Sequence, residues 1–102
     1  MSWLRRATTY TEQQIWDDIK TENPTFQEKM IARFIKDELV LSRIVLEATD
    51  WRIRRDALSY IQDTNILNDL LMDLSSHTNF SNQDLEIMER VKDRLDGRLG
   101  KI

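Results

Sequence analysis

Side chains that could do chemistry are few in this sequence, and they are poorly placed for catalysis. His77 is the only histidine, and the chain has no cysteine. A nucleophile–histidine pair would have to use Ser75, Ser76 or Ser81 around it. Serines in a polar stretch such as "SSHTNFSN" serve turns and helix caps well without any catalytic role. One histidine without cysteine leaves only carboxylates for zinc. "SSHTNFSNQDLE" lacks the acidic spacing and the glycine of a calcium loop, and no glycine-rich phosphate loop is present. Asp17 and Asp18 are adjacent, so on a helix they diverge by about 100° and do not share a proton. These observations argue against an enzyme and imply no cofactor and no metal.

Charge is the more informative signal. The chain has 102 residues and a net charge of -3, which hides a segregation. Seven acidic residues and no Lys or Arg occur from Asp56 to Glu89. Arg52, Arg54 and Arg55 precede that block, and Arg90, Lys92, Arg94, Arg98 and Lys101 follow it. An acidic surface of this kind favours a basic partner. If the two basic clusters met on one surface, beside Trp51 and Tyr60, they could instead track a phosphate backbone.

These groups need elements to hold them. Gly 2 and Pro 1 leave few tight turns, so the expectation is an all-α chain of five or six helices in antiparallel hairpins. The length suits one domain over residues 1–102. Thr11 with Gln14, and Thr25 with Glu28, read as capping boxes that start the first two helices. Phe26, Met30, Ile31, Phe34 and Ile35 form an amphipathic stripe on the second helix. The third, "ELVLSRIVLEA", is apolar almost all round and is expected to be central and buried. A fourth helix, "WRIRRDALSYI", puts Ile53, Ala57, Leu58 and Ile61 on one side. A fifth follows Asp63 or Thr64, with Ile66, Leu67, Leu70, Leu71 and Leu74 inward. Ser81 with Asp84 caps the sixth, and Gly97 reads as its C-terminal cap. No apolar run approaches the ~20 residues of a membrane span. "MSWLRRATTY" has no apolar stretch after its arginines and does not read as a secretory signal. The absence of cysteine fits a reducing, cytoplasmic setting.

One sentence of the sequence is written twice. "IKDELVLSRIVLE" at 35–47 returns 26 residues later as "IQDTNILNDLLMD" at 61–73. Asp37 and Asp63 stand where a helix must start, and their short side chains suit the orphan amides there. The repeating unit, about 26–47 and 52–73, is thus a helix, a tight turn and a second helix. Stacked units of this kind share a core that neither could bury alone. Arg43 and Asp69, 26 apart, would then lie side by side.

"DWRIRRDALSYIQDTNILNDLL" resembles a HEAT-type or armadillo-like helical repeat, through Asp50, Ile53-Arg54, Ala57 and Leu58. The resemblance covers about a quarter of the chain, and residues 25–48 match only in apolar pattern. It implies a short α–α superhelix, the alternative being an irregular helical bundle. It also implies a structural role for Arg54, bonded to acidic or carbonyl groups, with Asp50 or Asp56 at hand.

The expected function is a protein-interaction module or small assembly subunit without catalytic activity, binding a basic protein. Candidate partner-binding residues are Asp63, Asp69 and Asp73, together with Trp51, Arg52 and Arg55. Nucleic-acid binding through Arg52, Arg54, Arg55 and the basic C-terminal helix is the first alternative. An immunity- or antitoxin-type protein is a second, by fold-level analogy. No membrane partner is expected.

Overall fold

The computed structural model describes residues 11–76 and 81–99. Trp3 and His77 lie outside the described residues. Six helices are present among the described residues: α1 Glu12–Ile19, α2 Pro24–Phe34, α3 Glu38–Glu47, α4 Trp51–Ser59, α5 Thr64–Ser75 and α6 Asn82–Leu99. No strand occurs among the described residues.

Each helix begins where a side chain can satisfy its first amides. Thr11 and Gln14 form the reciprocal capping box read from the sequence. Asp37 Oδ1 accepts from Leu39 N at 3.0 Å, and Asp63 Oδ1 accepts from Asn65 N at 2.8 Å. Asp50 serves α4 in the same way through Arg52 N. At α6, Ser81 Oγ accepts from Asp84 N while Asp84 Oδ2 accepts from Ser81 N. The start of α2 differs from expectation. Its cap is Asn23, whose Oδ1 accepts from Phe26 N at 2.9 Å, and Thr25 lies inside the helix. Pro24 is the reason: it holds Asn23 in extended backbone, the N-cap geometry, and its missing N–H is harmless at the first helical position.

The helices form two layers. α1 packs on α3 and α3 on α5; α2 packs on α4 and α4 on α6. Across the layers the pairs are α1 with α2, α3 with α4 and α5 with α6. Consecutive α2 and α3 do not pack on each other, and neither do α4 and α5. Each duplicated stretch therefore runs from one hairpin into the next. The core lies between the layers. It contains Trp16, Ile31, Leu41, Ile44, Val45, Ile53, Ala57, Ile61, Leu67, Leu70, Leu74, Ile87 and Val91. Burying a side chain of this size contributes about 1.5–3 kcal/mol.

Polar side chains tie successive helices of the α1, α3, α5 layer near their ends. Glu12 Oε1 accepts from the backbone amides of Lys36 and Asp37 at 2.5 and 2.6 Å. Glu38 Oε1, 26 residues on, accepts from those of Gln62 and Asp63 at 3.0 and 2.9 Å. The next position in that series is Thr64, where it ends. Trp16 Nε1 donates to Glu47 Oε1 at 2.9 Å, joining α1 to α3. Arg43 pairs along its own helix with Glu47 at 3.4 Å.

Three expectations need correcting. Phe26 and Phe34 are 42% and 46% exposed, since α2 ends its row and nothing described packs on its outer side. Leu39 of α3 is 64% exposed, because only one flank of α3 meets each neighbour. Gly97 does not end α6: the helix continues to Leu99, and no described glycine has a positive φ. A Cβ at Gly97 would meet nothing within 4 Å. Gly97→Ala should therefore stabilise the fold by about 0.5–1 kcal/mol, by removing unfolded-chain entropy. A rise in the midpoint of urea unfolding at constant slope checks this; a fall would mean that the helix stops at Gly97.

Candidate functional site

The sequence placed Arg54 in a basic cluster, and the fold withdraws it from the surface. Its side chain is only 6% exposed and meets Asp84, 5% exposed, at 2.6 Å. The same guanidinium donates to Val45 O at 2.7 Å through Nε and to Gln83 Oε1 at 3.2 Å. Arg54 thus joins the end of α3 to the start of α6. Asp84, and neither Asp50 nor Asp56, is the acidic partner. Gln27 does related work one hairpin earlier, donating from Nε2 to Ile19 O and Lys20 O at 3.1 and 2.9 Å. Arg94 donates to Leu58 O and Ile61 O, closing the end of α4.

With Arg54 inside, three surface regions remain. The first is acidic. Asp69 and Asp73 are exposed on α5, one turn apart. Asp63 stands apart from them: its carboxylate turns to the first amides of α5, and its own N–H is held by Glu38. The layers differ in charge. In the row α1, α3 and α5 there are seven carboxylates against Arg43, a net of -6. In the row α2, α4 and α6 there are nine cations against seven carboxylates, a net of +2. The segregation along the chain has become segregation between faces.

The second region is a cleft of about 230 Å³ between α4 and α6, lined by Arg55, Leu58, Ser59, Arg90, Asp93 and Arg94. Arg55 and Arg90 are exposed. Arg90 lies over the ring of Trp51, 5.5 Å from its centroid, and Trp51 is half-buried against the core. Arg52 is exposed on the same helix, 3.8 Å from Asp50. The two basic clusters therefore meet, through Arg55, Arg90 and Arg94.

The third region was not anticipated as a surface. Ile15, Ile19, Phe26, Met30 and Phe34 line a groove of about 480 Å³ on the α1–α2 hairpin, with Asp18 and Glu22 among its walls. Its residues were legible as an apolar stripe. That no described element covers the stripe depends on tertiary packing, which no local pattern records.

No group of three or more His, Asp or Glu side chains among the described residues could hold a metal ion. No helix among them is long and apolar enough to cross a membrane. No protein-family model, curated protein or solved structure matches this chain.

The buried pair makes a direct test. Removing one partner of such a pair strands the other charge, at about 3–5 kcal/mol. Asp84→Ala should lose stability of that order in denaturant unfolding, plus the contribution of its bond to Ser81 N at the α6 cap. Replacing both, Arg54→Met with Asp84→Leu, should lose markedly less than the sum of the single changes. Additive losses would show that the two groups are not coupled.

Proposed function

We infer that this chain is a non-catalytic protein-interaction module whose partner is a basic, amphipathic segment of another protein. The observation that carries this reading is the groove on the α1–α2 hairpin. Two phenylalanines nearly half exposed at one spot are unusual on a free surface, where large apolar patches mark interaction sites. Ile15, Met30, Phe26 and Phe34 offer an apolar floor, and Asp18 and Glu22 offer carboxylates at its edge. That combination suits an amphipathic helix laid into the groove with Lys or Arg along its flank. α1 belongs to the acidic row, so the field that draws a cationic partner continues from the groove across that face. Asp69 and Asp73 would act at longer range, raising the association rate more than the affinity.

The stacking of each helix on the one two places further along supports the HEAT-type or armadillo-like reading. Such stacks commonly present a surface to other proteins.

Affinity capture from the native host, followed by titration of the captured protein's basic segment as a synthetic peptide, tests this reading. Phe26→Ser with Phe34→Ser should weaken peptide binding at least tenfold while the helical circular dichroism persists. Asp69→Lys with Asp73→Lys should slow association and flatten its salt dependence. A basic partner that binds both double variants as well as the parent would refute the assignment.

A further inference from the structure

We propose that the chain carries its own occupant for the α1–α2 groove, residues 1–10, so that an outside partner must displace it. The proposal rests on the reading of that groove as a docking site for basic, apolar segments. Residues 1–10 lie outside the described residues. Their chemistry, their tether and the direction of the groove assign them to it.

The groove asks for apolar side chains on its floor and a cation at its acidic edge. "MSWLRRATTY" holds both within four positions, Trp3 and Leu4 followed by Arg5 and Arg6. It has no Asp or Glu, so the acidic row that α1 opens attracts it. The floor includes Phe26 and Phe34, both exposed among the described residues, and an indole laid on them would bury apolar area of its own and theirs.

The tether delivers the segment to the correct end. Thr11 caps α1, so residues 1–10 join the fold at the first turn of that helix. Glu12 accepts from the amides of Lys36 and Asp37, which sets the end of α2 beside the start of α1. Gln27 donates to Ile19 O and Lys20 O, which sets the start of α2 beside the end of α1. The groove therefore runs from Phe34 and Ile15, near Thr11, to Phe26 and Glu22 at its far end. The eight residues of α1 span about 12 Å. Arg5, six residues before Thr11, can reach up to about 20 Å from it. A segment folded back along α1 passes Phe34 first, brings Arg5 and Arg6 to Glu22, and lays Trp3 and Leu4 on Phe26 and Met30.

Charge orders the segment in the same direction. Arg33 lies over the Phe34 ring at 5.9 Å, at the near end, where the segment offers the uncharged Thr8, Thr9 and Tyr10. Glu22 is exposed at the far end. Asp18, in the same wall, is engaged in an interaction of its own, so Glu22 is the carboxylate assigned to the arginines. A short tether gives an effective concentration of about 1 mM, so modest affinity fills the groove within one chain before a second copy at micromolar concentration competes.

A fluorescein-labelled peptide of residues 1–10, titrated with the full chain and followed by anisotropy, tests the proposal. Trp3→Ala with Leu4→Ser leaves the groove open. That variant should bind the peptide about tenfold more tightly than the parent, for a peptide Kd of about 0.1 mM against an effective concentration of about 1 mM. Adding Phe26→Ser and Phe34→Ser should abolish the binding. Adding Glu22→Lys instead, a change at an exposed side chain that keeps the test valid if the serine variant unfolds, should weaken it severalfold at low salt. Circular dichroism melts establish which variants are folded. Peptide binding no tighter to the Trp3/Leu4 variant than to the parent, or unchanged by Glu22→Lys, would overturn the proposal. So would a dimer of the parent in sedimentation at micromolar concentration that the Trp3/Leu4 variant dissolves, since the segment would then occupy a second copy. The captured basic partner separates this proposal from the reading beneath it. Equal partner affinity for the parent and the Trp3/Leu4 variant, with affinity lost on removing both phenylalanines, refutes self-occupancy alone. Partner binding indifferent to the phenylalanines refutes the groove itself.

Discussion

A buried guanidinium fixes the position of three of the six described helices. Arg54 carries a full charge into the space between α3, α4 and α6, where an unpaired ion would cost several kcal/mol. Asp84 offsets that cost at 2.6 Å, and Val45 O and Gln83 take further N–H groups. Asp84 also closes the capping box at the start of α6. One carboxylate therefore decides both where α6 begins and how closely it approaches α4. The cleft of Arg55, Arg90 and Arg94 follows from that approach.

Elsewhere the same problem, unsatisfied groups at helix ends, is met by neutral or only partly buried side chains reaching across from other helices. Gln27 takes the carbonyls that end α1, Arg94 those that end α4, and Glu12 and Glu38 the amides that precede α3 and α5. Each reach ties an element to a neighbour at a set height, so the rows stay in register without long loops. A row held in this way must stop somewhere. Among the described residues it stops at α1 and α2, where no described element covers the apolar stripe, and the candidate protein-binding groove is that stripe.

Much of this was legible in the sequence because its causes are local. Asp37, Asp63 and Ser81 cap helices through atoms two or three residues away, and Leu67, Leu70 and Leu74 share a face by helical period alone. The exposure of Asp69 and Asp73 follows from the same period. What was not legible depends on distant residues. Asp84 lies thirty residues from Arg54, and nearer aspartates looked equally able to pair with it. The stripe on α2 was visible, but period shows only that a face is apolar and never whether another element covers it. Gly97 misled for a related reason: a glycine permits a helix to end and does not require it. The reach of Glu12 and Glu38 has no local mark, because a first-turn glutamate is ordinarily favoured by the helix dipole alone.

Native-state hydrogen exchange at the amides of Lys36, Asp37, Gln62 and Asp63 tests most directly whether side chains from other helices lock the stack. These amides lie in the links between helices. The account predicts clear protection at all four, and in Glu38→Ala selective loss at Gln62 and Asp63 with Lys36 and Asp37 still protected. Exchange of all four in the parent protein at the rate of an unstructured chain would contradict it.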